Sequence, residues 1–158
     1  MDFDKRLERA IDRGQRSREA AGRAKAEQAM NEEELRNLHS RLRLELSEHI
    51  ESCLRKLADH FLGFEFSVSA GGASITRDDV DFNRHSRSRN LYSRLEMVIT
   101  PFSTATAIVE MTSKGTIRNK ETQNRNHYQF LSDADVDTFK ELIDLWVLEF
   151  AEQFAAHQ

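Results

Sequence analysis

From Leu35 to Phe61 the large apolar residues recur at steps of three and four: Leu35, Leu38, Leu42, Leu46, Ile50, Cys53, Leu57 and Phe61. That spacing places them on one face of a long helix. Seven steps span 26 residues, a mean of about 3.7, whereas a left-handed coiled coil averages about 3.5. The stripe therefore suits packing on a sheet or a globular helix better than a long zipper. Helix is expected over 32–62, with Asn31 as N-cap, Glu34 closing a capping box and Gly63 as the left-handed stop.

The segment before this helix carries little that could be buried. Apart from Met1, among residues 1–30 only Phe3, Leu7, Ile11 and Met30 are large and apolar, and Gly14 and Gly22 weaken the helix by roughly 1 kcal/mol each relative to Ala. Residues 1–30 thus read as a charged helical arm or tail, and 31–158 as a single α+β domain. The arm reads equally as an association helix anchored by Phe3, Leu7 and Ile11 or as a tail.

After Gly63 the period changes to two. Phe64, Phe66, Val68 and Ala70 alternate, Gly71-Gly72 reads as a hairpin turn, and Ser74–Arg77 returns until Asp78-Asp79 breaks the strand. Residues 83–90 have no apolar member and read as a loop. Leu91–Thr100 directs Leu91, Leu95, Met97 and Ile99 to one side, Pro101–Ser103 turns, and Thr104–Thr112 directs Ala105, Ala107, Val109 and Met111 inward. Lys114-Gly115 reads as a turn, Thr116–Thr122 as a polar strand, Asn124–Asn126 as another turn and His127–Phe130 as a short strand. Ser132 is expected to cap a last helix with Val136, Phe139, Leu142, Ile143, Trp146, Val147, Phe150 and Phe154 on its apolar face. The fold class is α+β, an antiparallel meander of about five to six strands with two long helices packed on one face.

Charge is unevenly spread in a chain of net −4. Residues 77–127 hold nine Lys/Arg against six Asp/Glu, so +3, while 132–158 hold one against seven, so −6. Arg84, His85, Arg87 and Arg89 crowd one loop, and strand alternation sends Tyr92, Arg94, Arg118, Lys120 and His127 to the open sheet face. Arginine forks suit phosphate oxygens and an exposed tyrosine suits base stacking, so these nine residues form the candidate ligand-binding set. Glu65, Glu96 and Glu110 belong to the same face and can pair with those bases across the sheet.

Other constellations lack the geometry their chemistry needs. His49, Cys53 and His60 share a helix face, but one straight helix cannot wrap three ligands around an ion, so no metal site is expected. Asp78, Asp79 and Asp81 lack the glycine and closing glutamate of a calcium loop. No serine sits in a nucleophile elbow, and Gly71-Gly72 lacks the Lys-Ser/Thr of a phosphate loop. No catalytic set and no cofactor are expected. A single cysteine, no run of about 18 apolar residues and no apolar leader at the start fit a cytoplasmic protein without a membrane span. The first expectation is a non-catalytic interaction module with a protein partner or a second copy as homodimer. The alternatives are an anion or single-stranded nucleic-acid binder on the open sheet face, and an enzyme with a site at Arg125, His127 and Tyr128.

Overall fold

The computed structural model describes residues 3–82 and 88–157, without the side chains of 20–30, 80–82, 88 and 89. In chain order it contains α1 (Phe3–His60), β1 (Glu65–Ser69), β2 (Gly72–Phe82), β3 (Ser88–Ile99), β4 (Ile108–Ile117), β5 (Lys120–Phe130), a 3-10 turn (Leu131–Asp133) and α2 (Val136–Ala156). The strands form one antiparallel sheet in sequence order, β1-β2-β3-β4-β5. The chain is therefore an α+β protein built on an open meander. By internal contacts it divides into two units, Met1–Asn37 and Leu38–Gln158.

In the first unit every described side chain from Phe3 to Glu19 is exposed. Asn31 is not a helix start: α1 runs through it, because the alanine-rich segment before it favours helix as strongly as the leucine-rich segment after it.

In the second unit α1 buries His39, Leu42, Leu46, Ile50, Leu54 and Leu57. Leu54 rather than Cys53 occupies the core, and Cys53 lies at its margin. The helix ends at His60, and Gly63 takes the left-handed φ of 97° that lets the chain turn into β1.

The hairpin loop between β1 and β2 is Ala70-Gly71, one residue earlier than the glycine pair suggests. Gly71 carries the positive φ of 79°. Gly72 belongs to β2, where an added Cβ would stand 1.9 Å from the Met97 carbonyl oxygen, so close strand approach requires glycine there. Arg43 of α1 donates from Nε to the Ile99 carbonyl at 2.9 Å and from Nη2 to the Ala70 carbonyl at 3.3 Å, tying this hairpin to α1.

Burial along β3 alternates without a fault from Leu91 to Ile99. Its covered face holds Leu91, Ser93, Leu95, Met97 and Ile99, next to Ala73 and Ile75 of β2 and Met111, Ser113 and Gly115 of β4. Both helices reach this parity. Phe150 of α2 lies against Gly115, Gln123 Nε2 donates to the Trp146 carbonyl at 3.2 Å, and Arg55 of α1 sits 4.7 Å over the Phe66 ring. Buried Ser113 donates to Gln123, closing a small polar cluster inside the core.

Several expected boundaries differ. Asp78 and Asp79 do not break β2, since Asn90 donates to Asp78 at 3.4 Å and Arg77 pairs with Asp79 at 3.0 Å within continuous pairing that extends to Phe82 and Ser88. Residues 88–90 are accordingly strand, and 83–87 lie outside the described residues. Val68 has the core parity opposite Ala73 but is 55% exposed, because β1 is an edge strand near its hairpin end. Residues 104–106 are turn rather than strand, so Ala105 is exposed, and Ala107 takes a φ of 49° before β4 begins.

Lys114-Gly115 is not a turn but part of β4, with a bulge between Gly115 and Thr116. The turn is Arg118-Asn119, and β5 continues straight through Asn124–Asn126. Asp135, not Ser132, caps α2, accepting from the Asp137 backbone NH at 3.1 Å and from Thr138 Oγ1 at 2.9 Å. Ser132 is taken up in the 3-10 turn that buries Leu131.

Candidate functional site

The open sheet face is the expected site, and the structure separates the members it describes. Arg84, His85 and Arg87 lie outside the described residues, and Arg89 is described only as a position in β3 opposite Asp81. Tyr92 and Arg94 do share the open parity of β3. Arg94 Nη2 meets Glu96 at 2.6 Å and Nη1 donates to Thr76 Oγ1 at 3.3 Å. The Glu96 hydrogen bond raises the Arg94 pKa, so the cation is committed to its neighbour on the sheet.

Arg118 sits in the β4–β5 turn, with Nη1 3.4 Å from the His157 carbonyl, and Lys120 is the exposed first residue of β5. His127 has the other parity. It pairs with Met111, packs its ring 5.0 Å from Phe139 of α2 and accepts from Gln129 Nε2 at 3.0 Å. Arg125 shares that side and pairs with Glu149 at 2.9 Å, while Tyr128 is exposed beside Phe130 on the opposite face. Among the described members His127 thus lies on the face opposite Tyr92 and Arg94, and Arg125, His127 and Tyr128 do not line one pocket.

A different site lies between the helices of the second unit. Glu45 pairs with Lys140 at 2.9 Å and His49 with Asp144 at 2.8 Å. Both pairs are separated by 95 residues, so α1 and α2 run side by side in the same direction there. Between them opens a groove of about 450 Å³ whose wall includes Cys53, Leu57, Phe61, Asp144, Val147 and Leu148. Its polar end is built from three side chains. Asp144 Oδ1 accepts from His49 Nε2 at 2.8 Å and from the Cys53 thiol at 3.4 Å, and Cys53 Sγ stands 3.7 Å from His49 Nε2.

This trio does not have the arrangement of a nucleophilic triad. One imidazole nitrogen faces both the sulfur and the carboxylate, whereas a base must accept on one nitrogen and be oriented through the other. Burial, reinforced by the Asp144 hydrogen bond and charge, pushes the Cys53 thiol up to about 11, so it remains protonated near neutrality.

Compared with known proteins, the chain matches no family model, no curated protein and no solved structure. The site must be read from its own chemistry. Sequence reasoning grouped His49 and Cys53 but reached for His60, which instead bonds its own helix through Nδ1 to the Lys56 carbonyl at 2.9 Å. Asp144 was missed. The one signal that points to it is the matched spacing of Glu45/His49 and Lys140/Asp144, opposite in charge and four residues apart on both helices. Among the described residues no helix is long and apolar enough to cross a membrane.

Proposed function

We propose that the chain is a non-catalytic interaction module whose partner is a second copy of itself, joined through the first unit of α1. The observation that carries this is the exposure of its apolar stripe: Phe3 at 70%, Leu7 at 46% and Ile11 at 53%. Helices in water draw most of their stability from packing an apolar face, not from propensity. A helix that leaves Phe3, Leu7 and Ile11 uncovered at a spacing of four presents a row of anchors for another helix.

A second copy supplies the same row, and a two-fold contact is self-complementary by construction. Gly14 continues the stripe with no atom within 4 Å of an added Cβ, which leaves room for close approach. Charges of both signs alternate along this segment, with Asp12 and Arg16 paired at 3.0 Å, so two copies meet without a strong single-sign field. The anion-binding alternative draws less support, because Arg94 is spoken for by Glu96 and His127 by Phe139 and Gln129.

Sedimentation equilibrium of the full chain tests this reading. A dimer is expected, converted to monomer by Leu7→Glu with Ile11→Glu while the melting temperature of the domain stays the same. A full chain that is monomeric at the highest concentrations reached, or a double variant that still dimerises, overturns it.

A further inference from the structure

We propose that His49, Cys53 and Asp144 form a binding site for a divalent transition-metal ion, zinc foremost, bridging α1 and α2. Imidazole nitrogen, cysteine sulfur and carboxylate oxygen are the three donor types zinc takes from proteins. Sulfur and imidazole together favour zinc and its neighbours over magnesium or calcium, which prefer oxygen alone. The donor atoms of all three residues lie within 4.8 Å of one another.

The separations are near those an ion requires. Around tetrahedral zinc, with bonds of about 2.0–2.3 Å, two donors stand roughly 3.3–3.6 Å apart. The sulfur is 3.4 Å from the carboxylate oxygen and 3.7 Å from the imidazole nitrogen. Only the 2.8 Å contact between His49 and Asp144 has to open, and both side chains are partly exposed and free to shift. A single straight helix cannot enclose an ion, but here the third donor comes from the neighbouring helix.

Charge balances as well. On binding, the Cys53 S–H bond is replaced by a sulfur–metal bond and one proton leaves to solvent, with nothing oxidised or reduced. Thiolate and carboxylate then neutralise the dication, with neutral His49 as the third ligand. The remaining coordination position is left to water, beside the groove walled by Leu57, Val147 and Leu148. Bound there, the ion clamps α1 to α2 one helical turn beyond the Glu45–Lys140 pair.

The test uses the full chain, stripped with a chelator and titrated with zinc chloride by calorimetry, with cobalt(II) as spectroscopic probe. Expected are about one ion per chain, a rise in melting temperature on loading, and a cobalt spectrum with thiolate charge transfer and tetrahedral d–d bands. Cys53→Ser is expected to remove the charge-transfer band, and Asp144→Asn to weaken zinc binding roughly tenfold or more. Absence of saturable binding, or a cobalt spectrum of the unaltered chain without thiolate charge transfer, overturns the proposal. So does zinc affinity that Asp144→Asn and Cys53→Ser leave unchanged, since the ion would then reside on other histidines.

Discussion

His39 lies in the core stretch of α1 with 2% of its surface exposed, its ring 5.5 Å from Phe102 and its Nε2 without a hydrogen-bond partner among the described residues. Burial lowers its pKa from the ordinary 6.5, the Arg43 charge lowers it further, and a backbone hydrogen bond at Thr100 offsets part of this. Proton counts in the two states set the sign. Below pH 6.5 the unfolded chain takes up a proton at this site before the folded chain does, so acidification favours unfolding. Stability from this site is complete above that value and is lost as the pH falls below it toward the folded pKa. Urea unfolding with chelator present, at pH 7 and again near pH 5, should show a loss of stability that His39→Leu diminishes. An unchanged pH slope in the variant would mean that His39 is protonated in the fold or accessible to water.

The turn between β4 and β5 shows how one element is placed by side-chain chemistry that a glycine search overlooks. Arg118 and Asn119 both have positive φ, 48° and 70°, the pair of values a type I′ hairpin demands. Asn119 tolerates this region and is held there from three directions. Its NH donates to the Tyr92 carbonyl at 2.8 Å, its Oδ1 accepts from the Tyr92 NH at 2.8 Å, and its Nδ2 donates to the Asn90 carbonyl at 2.9 Å. The turn is thus fastened to the first half of β3, and β5 is free to run eleven residues without interruption. Asn119→Ala removes two of these bonds and strains the backbone, a loss of about 2 kcal/mol. Asn119→Gly keeps the backbone relaxed and should lose about half as much. Denaturation midpoints of the two variants check the ordering, and equal losses would show that strain plays no part.

At the scale of the second unit, the number of strands decides which residues meet. Five antiparallel strands put six reversals between α1 and α2, so the two helices point the same way. With that parity Glu45 meets Lys140, and His49 meets Asp144. The balance of charge over the whole chain, net −4, bears on a separate matter. On the open face Arg94 is held by its acidic neighbour Glu96 at 2.6 Å. The full chain should therefore give no mobility shift with single-stranded DNA even at low salt, where phosphate binding is strongest. A shift that weakens steeply with salt and drops on Arg87→Glu with Arg89→Glu would restore the nucleic-acid reading.

The sequence by itself determined the elements whose signals are local and strongly periodic. The stripe from Leu35 to Phe61, the broader one from Val136 to Phe154, and the alternation of Leu91, Leu95, Met97 and Ile99 suffice for two helices and a strand, because burial on one face imposes that period. Gly63 was legible for the same reason, since a left-handed stop is a property of one residue. The features that the tertiary structure decided depend on partners distant in the chain. Polar β5 has no hydrophobic alternation of its own to announce it, and it is strand because β4 lends it a ladder and Gln123 finds Ser113 and Trp146. Gly115 is glycine because Gln123 and Phe150 crowd the space a side chain would take, not because the chain turns there. Tyr92 and Arg94 fell on the face that alternation assigned, but His127 did not, because an unseen turn at Arg118-Asn119 fixed the register of its strand. The trio at the helix groove lay furthest from the reach of the sequence. His49 and Cys53 are neighbours through helix geometry, whereas Asp144 joins them 91 residues after Cys53 only because five strands bring α2 back alongside α1.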